Sequence, residues 1–215
     1  MKYTTIIFDL DGTLLNTLAD LAAATNHALA EHKLPQRTTD EVRLFVGNGI
    51  RKLIERAVPA DTPAELQEEV FASFNKYYKQ HCADSTRPYE GVPQLLQQLR
   101  AAGCRTAIVS NKADYGVQAL AKQYFDGQLD AACGERAGIA KKPAPDMLLA
   151  IMRQLSAEPA STIYIGDSDT DLDTARNAGV ACIGACWGFR GRAFLEAHGA
   201  KLLAENVGDI WELIK

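Results

Sequence analysis

Thr5-Ile6-Ile7-Phe8-Asp9-Leu10-Asp11-Gly12-Thr13 is the stretch from which the fold can be read. Its first four residues are a short run without polar alternation, the pattern of a strand covered on both faces. Two carboxylates follow immediately, two residues apart, and then a glycine. In open α/β sheets ligands bind beyond the carboxyl ends of strands. A sharp turn there lets both carboxylates converge, and Gly12 permits that turn and the close approach of backbone N–H groups to an anion. An acidic surface turn has the same composition, because Asp-Gly is a common turn pair. The rest of the chain has to decide between the two.

Similar short runs recur at 106–109, 162–165, 181–185 and, more weakly, 129–133, separated by segments of helical period. Strands alternating with helices imply right-handed crossovers and a parallel sheet, here a Rossmann-like, doubly wound α/β fold. Residues 15 to 85 break the rhythm. They contain no convincing strand, but helical candidates at 17–31, 39–45 and 50–57. Thr62-Pro63-Ala64-Glu65 has capping-box spacing and opens a further helix running to about His81. The expectation is a core of 1–14 and 86–215 interrupted by a helical domain at 15–85. In the core, Pro93 opens a helix that Gly103 closes, and further helices are expected near 115–124, 145–155 and 170–178.

Length and composition narrow the function classes. The 215 residues are 47% hydrophobic and 23% charged, enough for a substantial core. A net charge of −4 provides no electrostatic footprint for nucleic acid or an anionic membrane. Any anionic substrate must then be held by local positive groups. No stretch approaches 18 apolar residues, and the first apolar run is too short for a signal peptide, so the expected location is the cytoplasm. The five cysteines form no CxxC pair and are expected to be free thiols, Cys182 and Cys186 included. No hydrophobic heptad appears, and a monomer or homodimer is expected.

Three further segments bear on the chemistry. Ser110-Asn111 ends the strand at 106–109, where a hydroxyl and an amide can donate to phosphate oxygens or simply cap the next helix. Lys141-Lys142-Pro143-Ala144-Pro145-Asp146 places two lysines before a turn. Either can neutralise a bound phosphoryl group, and either can be solvated. Gly166-Asp167-Ser168-Asp169-Thr170-Asp171 puts three carboxylates within five residues after the strand at 162–165. They repel one another without a cation, and a hard cation such as Mg²⁺ prefers such oxygen ligands. Asp169 is expected to do no more than favour the helix start.

Taken together, DLDGT, Ser110, Lys142-Pro143 and GDSDTD resemble the four motifs of the haloacid dehalogenase superfamily, in order and spacing along nearly the whole chain. The helical insert after the first motif resembles the C1-type cap of its phosphatase branch. DGTLLNT, Phe45-Val46-Gly47-Asn48-Gly49 and KKPAPD look most like phosphoglycolate phosphatases. The resemblance implies a Mg²⁺-dependent phosphomonoester hydrolase acting on a small phosphorylated metabolite, 2-phosphoglycolate first. Asp9 would be the nucleophile that becomes an aspartyl-phosphate, and Asp11 the proton shuttle. Mg²⁺ would be held by Asp9, the backbone carbonyl of Asp11 and Asp167, with Asp171 as a direct or indirect partner. Ser110 and Lys142 would hold the phosphoryl oxygens, with the Gly12 and Thr13 amides and Asn111. The choice of Lys142 over Lys141 rests on the family's Lys-Pro pairing.

Specificity is expected in the cap, at Gly47, Asn48, Gly49 and Arg51, with Lys52 as a second cation. Two glycines permit a tight loop at a helix start, and a helix start attracts anions. A broader sugar-phosphate, nucleotide or pyrophosphate hydrolase is the alternative. A β-phosphoglucomutase-like phosphotransferase is disfavoured, because the position twelve residues past the nucleophile, a cap histidine in those enzymes, is Leu21 here.

Overall fold

The computed structural model describes residues 1–215. Six strands form one parallel sheet in the order β5-β4-β1-β6-β7-β8. These are β1 (Thr5–Phe8), β4 (Arg105–Ala113), β5 (Ala131–Glu135), β6 (Thr162–Gly166), β7 (Ala181–Ala185) and β8 (Leu202–Ala204). β1 is central, with β4 on one side and β6 on the other. Phe8, the last residue of β1, pairs with both Ile108 and Ile165, so β1 ends level with Ile108 of β4 and Ile165 of β6. The order reverses at β1, which is where a doubly wound sheet opens its crevice.

The helices of this unit are α5 (Val92–Ala101), α6 (Asp114–Phe125), α7 (Asp146–Gln154), α8 (Asp169–Ala178), α9 (Arg192–Ala197) and α10 (Asp209–Leu213). Ile7, Ala107, Val109 and Tyr164, at alternating positions of β1, β4 and β6, point to one face. There they bury against Met147, Leu148, Ile151 and Met152 of α7 and Ala175 and Ala178 of α8. Burying each large apolar side chain contributes about 1.5–3 kcal/mol, and this packing fixes the sheet beneath the strand ends.

Contacts divide the chain into two compact units, 1–15 with 88–215, and 16–87. The chain passes between them through two-residue strands, β2 (Leu15–Asn16) and β3 (Arg87–Pro88). The inserted unit is helical: α1 (Leu18–Glu31), α2 (Thr39–Phe45), α3 (Ile50–Ala57) and α4 (Ala64–His81). It has its own core, with Leu21, Leu29, Val42, Leu53, Ile54, Val70, Phe74 and Tyr78 all buried. Buried Asp20 accepts the N–H groups of Ser85 (2.9 Å) and Thr86 (2.8 Å) and the Thr86 hydroxyl (2.8 Å). This ties the end of the insert to α1.

Several local expectations are corrected. No capping box forms at Thr62; one forms at Thr38, where the Thr38 N–H donates to Glu41 Oε2 (2.7 Å) and the Glu41 N–H to Thr38 Oγ1 (3.2 Å), and another at Ser168 and Asp171. At α4 Pro63 holds the cap position, and the Thr62 carbonyl accepts from Gln67. β4 runs past Val109 to Ala113 through a register shift against β5. The strand reading at 129–133 lies two residues early, and β8, α9 and α10 carry too few residues to show a period. All five cysteines are free thiols. No helix is long and apolar enough to cross a membrane.

Candidate active site

Everything in this site belongs to the sheet-bearing unit. The Asp9 N–H donates to the Ile165 carbonyl of β6 (2.8 Å), so sheet pairing continues one residue past β1 and fixes the first carboxylate at the rim. The chain then turns around the Leu10 carbonyl, which accepts the N–H groups of Leu14 and Leu15 (both 3.0 Å) and of Thr13 (3.3 Å). Gly12 makes this turn at φ +85°, and a Cβ there would overlap the Asp167 carboxylate. Only glycine satisfies both demands. The Gly12 N–H donates to the Leu15 carbonyl (2.9 Å). The two amides expected to meet a phosphate are therefore engaged within the turn. The available group is the buried Thr13 hydroxyl, which has no hydrogen-bond partner.

Lys142 is the hub. Its side chain is 2% exposed, with Nζ 2.7 Å from Asp171 Oδ1, 2.9 Å from Asp9 Oδ1 and 3.0 Å from the Tyr164 hydroxyl. The approach to Asp9 is a close ion pair off hydrogen-bond direction, so Asp9 Oδ1 is buried without a directed donor. Burial works against the ammonium, yet Asp171 and Asp9 outweigh it and hold Lys142 firmly protonated. Asn111 secures the lysine's backbone at both ends. Its Nδ2 donates to the Lys142 carbonyl (3.0 Å) and its Oδ1 accepts the Lys142 N–H (2.8 Å). Asn111 thus holds the backbone of Lys142 in place. Lys141 is farther out, 3.6 Å from Glu135 at a part-exposed pair.

Asp171 has no exposure, and both of its oxygens are engaged. Oδ1 faces Lys142, while Oδ2 accepts the Ser168 hydroxyl (2.6 Å) and N–H (3.1 Å). Asp167 Oδ2 accepts the Phe189 N–H (2.6 Å). A Cβ at Gly188 would overlap the Asp167 side chain, and one at Gly166 would overlap Asp171, so small residues make room for these carboxylates. Asp11 is paired with Lys112, whose Nζ lies 2.9 and 3.1 Å from its two oxygens. Ser110, buried on β4, accepts the Lys112 N–H at 3.3 Å.

The electrostatics follow from the count. Asp9, Asp11, Asp167 and Asp171 face two buried ammonium groups, Lys112 and Lys142, an excess of two negative charges when all are ionised. Burial pushes the Asp9 carboxyl up to about 6, with Lys142 pulling it back. Burial, reinforced by Asp171 and Asp9, lifts Asp167 well above the carboxylate range. Asp9, Asp167 and Asp171 offer oxygens within 4.8 Å of one another. The donor set, the excess charge and the undirected Asp9 Oδ1 all suit a hard divalent cation, which would reverse the upward shifts.

Three features were not seen in the sequence. Lys112 directly follows the Ser-Asn pair, which was its one visible signal. Tyr164 was read as an ordinary strand residue, but its hydroxyl accepts from Lys142 and donates to the Val109 carbonyl (2.8 Å). The Trp187-Gly188-Phe189 turn brings the Phe189 N–H to Asp167 and the Trp187 indole N–H to the Thr13 carbonyl (3.0 Å).

In the inserted unit, the expected specificity segment forms a closed loop. Gly47 and Gly49 have φ of 126° and 86°, and Gly49 precedes α3. Arg56, not expected, donates to the Phe45 carbonyl (2.7 Å) and to Asn48 Oδ1 (2.8 Å). Arg51 is half exposed, pairs with Glu68 of α4 and lies over the Phe71 ring at 4.3 Å. Leu21 is core, and His27 stacks on Tyr77 at the surface.

Residues 6–185 match the sequence profile of the haloacid dehalogenase-like hydrolases. A phosphoglycolate phosphatase from Aquifex aeolicus is 32% identical over 189 residues, 86% of this chain and 85% of that protein. An N-acetylmuramic acid 6-phosphate phosphatase from Pseudomonas aeruginosa is 29% identical over 100% of this chain and 96% of its own. The crystal structure of a protein provisionally assigned as a phosphoglycolate phosphatase, from Lactobacillus delbrueckii subsp. bulgaricus, superposes with a TM-score of 0.95. It shares 34% identity and covers 100% of this chain and 99% of its own.

Proposed function

The chain belongs to the haloacid dehalogenase-like hydrolase family, and from that premise we propose that it is a Mg²⁺-dependent phosphomonoester hydrolase acting through an aspartyl-phosphate on Asp9, with 2-phosphoglycolate as its substrate. The observation that carries this reading is the pairing at the rim. One carboxylate, Asp9, sits against Lys142 with an undirected oxygen, and a second, Asp11, sits two residues on against a different lysine.

Asp9 attacks phosphorus, a P–O bond to the carboxylate forms, and the bond to the leaving oxygen breaks. Asp11 gives that oxygen its proton. In the second half, water attacks the aspartyl-phosphate, Asp11 takes the water's proton, and Asp9 is released. One residue serves both steps because they are mirror images. Lys142 holds a phosphoryl oxygen beside Asp9, and Ser110 and the Thr13 hydroxyl hold the others. Asp9, Asp167 and the backbone carbonyl of Asp11 would hold the Mg²⁺, with Asp171 beside them. When bound, the ion supplies charge that lets an anionic nucleophile meet an anionic ester. Asn111, Tyr164 and Asp171 keep Lys142 in place throughout.

A sugar phosphate is the second reading, favoured by the full-length match to the N-acetylmuramic acid 6-phosphate phosphatase. The two named substrates share a carboxylate on the leaving group, so the class we propose is carboxylate-bearing phosphomonoesters. Purified protein assayed with Mg²⁺ and with EDTA against 2-phosphoglycolate, N-acetylmuramic acid 6-phosphate, hexose phosphates, nucleotides and pyrophosphate tests this. Metal-dependent turnover with the first two leading is expected. Turnover undiminished by EDTA defeats the mechanism, and a tenfold preference for pyrophosphate or neutral hexose phosphates defeats the substrate class.

A further inference from the structure

The two buried lysines of the site divide the carboxylates between them. Lys142 serves Asp9 and Asp171, and Lys112 serves Asp11. Lys142 belongs to the family pattern, whereas nothing above gives Lys112 a task. It is nevertheless a built feature. Its side chain is 2% exposed, and it is delivered by the stretch of β4 that continues past the register shift after Val109. Its stem runs along Gly116 of α6, where a Cβ would stand 3.5–3.6 Å from three of its carbons. Its carbonyl lies so close to Gly134 of β5 that a Cβ there would come within 2.6 Å. Backbone and stem are therefore both constrained, and the ammonium contacts both oxygens of Asp11, which is itself 15% exposed. A carboxylate on a turn just past a strand end has free rotation about χ1 and χ2 unless something holds it. Proton transfer to a leaving oxygen requires hydrogen-bond reach and alignment, and a carboxyl turned away contributes nothing.

We propose that Lys112 is a positioning residue of the reaction: it holds one oxygen of Asp11 so that the other is presented to the oxygen leaving phosphorus. This rests on the phosphatase reading above. At rest the ammonium contacts both carboxylate oxygens. When Asp11 carries the proton to be delivered, Lys112 keeps the unprotonated oxygen and the proton sits on its twin. Lys112 acts only through Asp11 and touches neither phosphorus nor the leaving group.

The leaving group distinguishes this role from a structural one. kcat/KM reports steps up to departure of the leaving group. An alkoxide needs a proton to depart, and p-nitrophenolate does not. In Lys112→Met, kcat/KM for an alkyl phosphate such as 2-phosphoglycolate is expected to fall on the order of 10–100-fold, within the range of general acid catalysis. For p-nitrophenyl phosphate it is expected to stay within about threefold. Lys112→Arg should recover most of the loss. An equal loss with both esters, or no loss with either, overturns the proposal.

Removing one partner of a buried pair leaves the other charge uncompensated, so Lys112→Met has a fold-safe companion. In Asp11→Asn, adding Lys112→Met removes both charges and should change kcat/KM for the alkyl phosphate by less than about twofold, because the effect of Lys112 passes through Asp11. A further tenfold drop in that background defeats it. Failure of the underlying reading looks different: the wild-type protein would hydrolyse neither ester, or Asp9→Asn would hydrolyse both.

Discussion

The carboxylate site and the inserted helical unit use ion pairs in opposite ways. Around β1 the charged groups are buried or nearly so, each set against a named partner, and the glycines at 12, 166 and 188 leave no room for another side chain. In the insert, Arg51 and Glu68 pair at 50% and 60% exposure, and the unit is held by an apolar core instead. Buried pairs are costly to break, because the surviving charge is stranded in low dielectric, whereas exposed pairs contribute about 0–1 kcal/mol. On the proposed function, the chemistry rests on groups that cannot be exchanged without a large loss, and the selectivity expected of the insert rests on groups that can be exchanged cheaply.

The sharpest test of the first half is Asp9→Asn. The amide keeps the shape of the side chain, ends nucleophilic attack and removes one of the charges facing Lys142. Turnover of 2-phosphoglycolate should fall on the order of 10³-fold or more while the thermal midpoint holds or rises. Steady-state kinetics and a melting curve on the same preparation check both. A variant with a tenth of wild-type activity would remove Asp9 from the reaction.

Phe74→Ala probes the second half. Phe74 is fully buried in the insert's core, stacked on Tyr78 with centroids 5.2 Å apart. Truncation should cost about 3–5 kcal/mol, read by chemical denaturation. Because the carboxylates of the candidate site lie in the other unit, a spectroscopic probe at Trp187 should see that unit unfold at nearly its wild-type midpoint. One cooperative transition shifted for every probe would show that the two units unfold together.

The same contrast explains what could be read from the chain. Asp9, Ser110, Lys142 and Asp167 were legible because each lies next to a strand end or crossover, and the apolar runs that make those strands are plain. Lys112 was not, since its partner is 101 residues away and the strand that carries it continues through a bulge no pattern announces. Tyr164 lies in phase with buried neighbours, so periodicity marks it as core, and only the fold shows its hydroxyl against Lys142. The Phe189 N–H is a backbone group, with no side chain to signal it. The insert's helices were legible from period and composition. Thr62 misled because Thr-Pro-Ala-Glu satisfies the capping spacing, while the helix in fact starts with Pro63 at its cap.

A smaller effect concerns pH and metal together. The folded-state pKa of Asp9 is raised to about 6 from an ordinary 3.8, so the native state binds this proton more tightly than the unfolded chain does. Its contribution to stability is fully present below about 3.8 and is lost as pH rises through about 6. Asp167 shifts in the same direction. A divalent cation opposes the loss by binding the ionised forms. The increase in melting temperature on replacing EDTA with Mg²⁺ should therefore be larger at pH 7.5 than at pH 5, by a few degrees for a chain of this size. Equal increments at the two pH values would detach the cation from these carboxylates.

The smallest expected effect tests whether the exposed pair of the insert takes part in selection. If Arg51 meets the carboxylate of the substrate, Glu68 competes for the same guanidinium, because the two are already paired. Glu68→Gln should then lower KM for 2-phosphoglycolate, and Arg51→Ala should raise it. Each change should be about threefold, since exposed pairs are worth only ~0.2–1 kcal/mol. Neither substitution should alter KM for ethyl phosphate, which has no carboxylate to recognise, and neither should move the melting temperature by more than about 3 °C. Arg51 also lies over the Phe71 ring, so Arg51→Lys keeps the charge but loses most of that stacking and the planar fork. A KM for Arg51→Lys close to that of Arg51→Ala would show that geometry rather than charge makes the contact. Opposite shifts in the Glu68 and Arg51 variants, confined to the carboxylate ester, place selection on this pair. Parallel shifts for both esters return Arg51 and Glu68 to the surface of the insert and leave recognition of the leaving group to other residues.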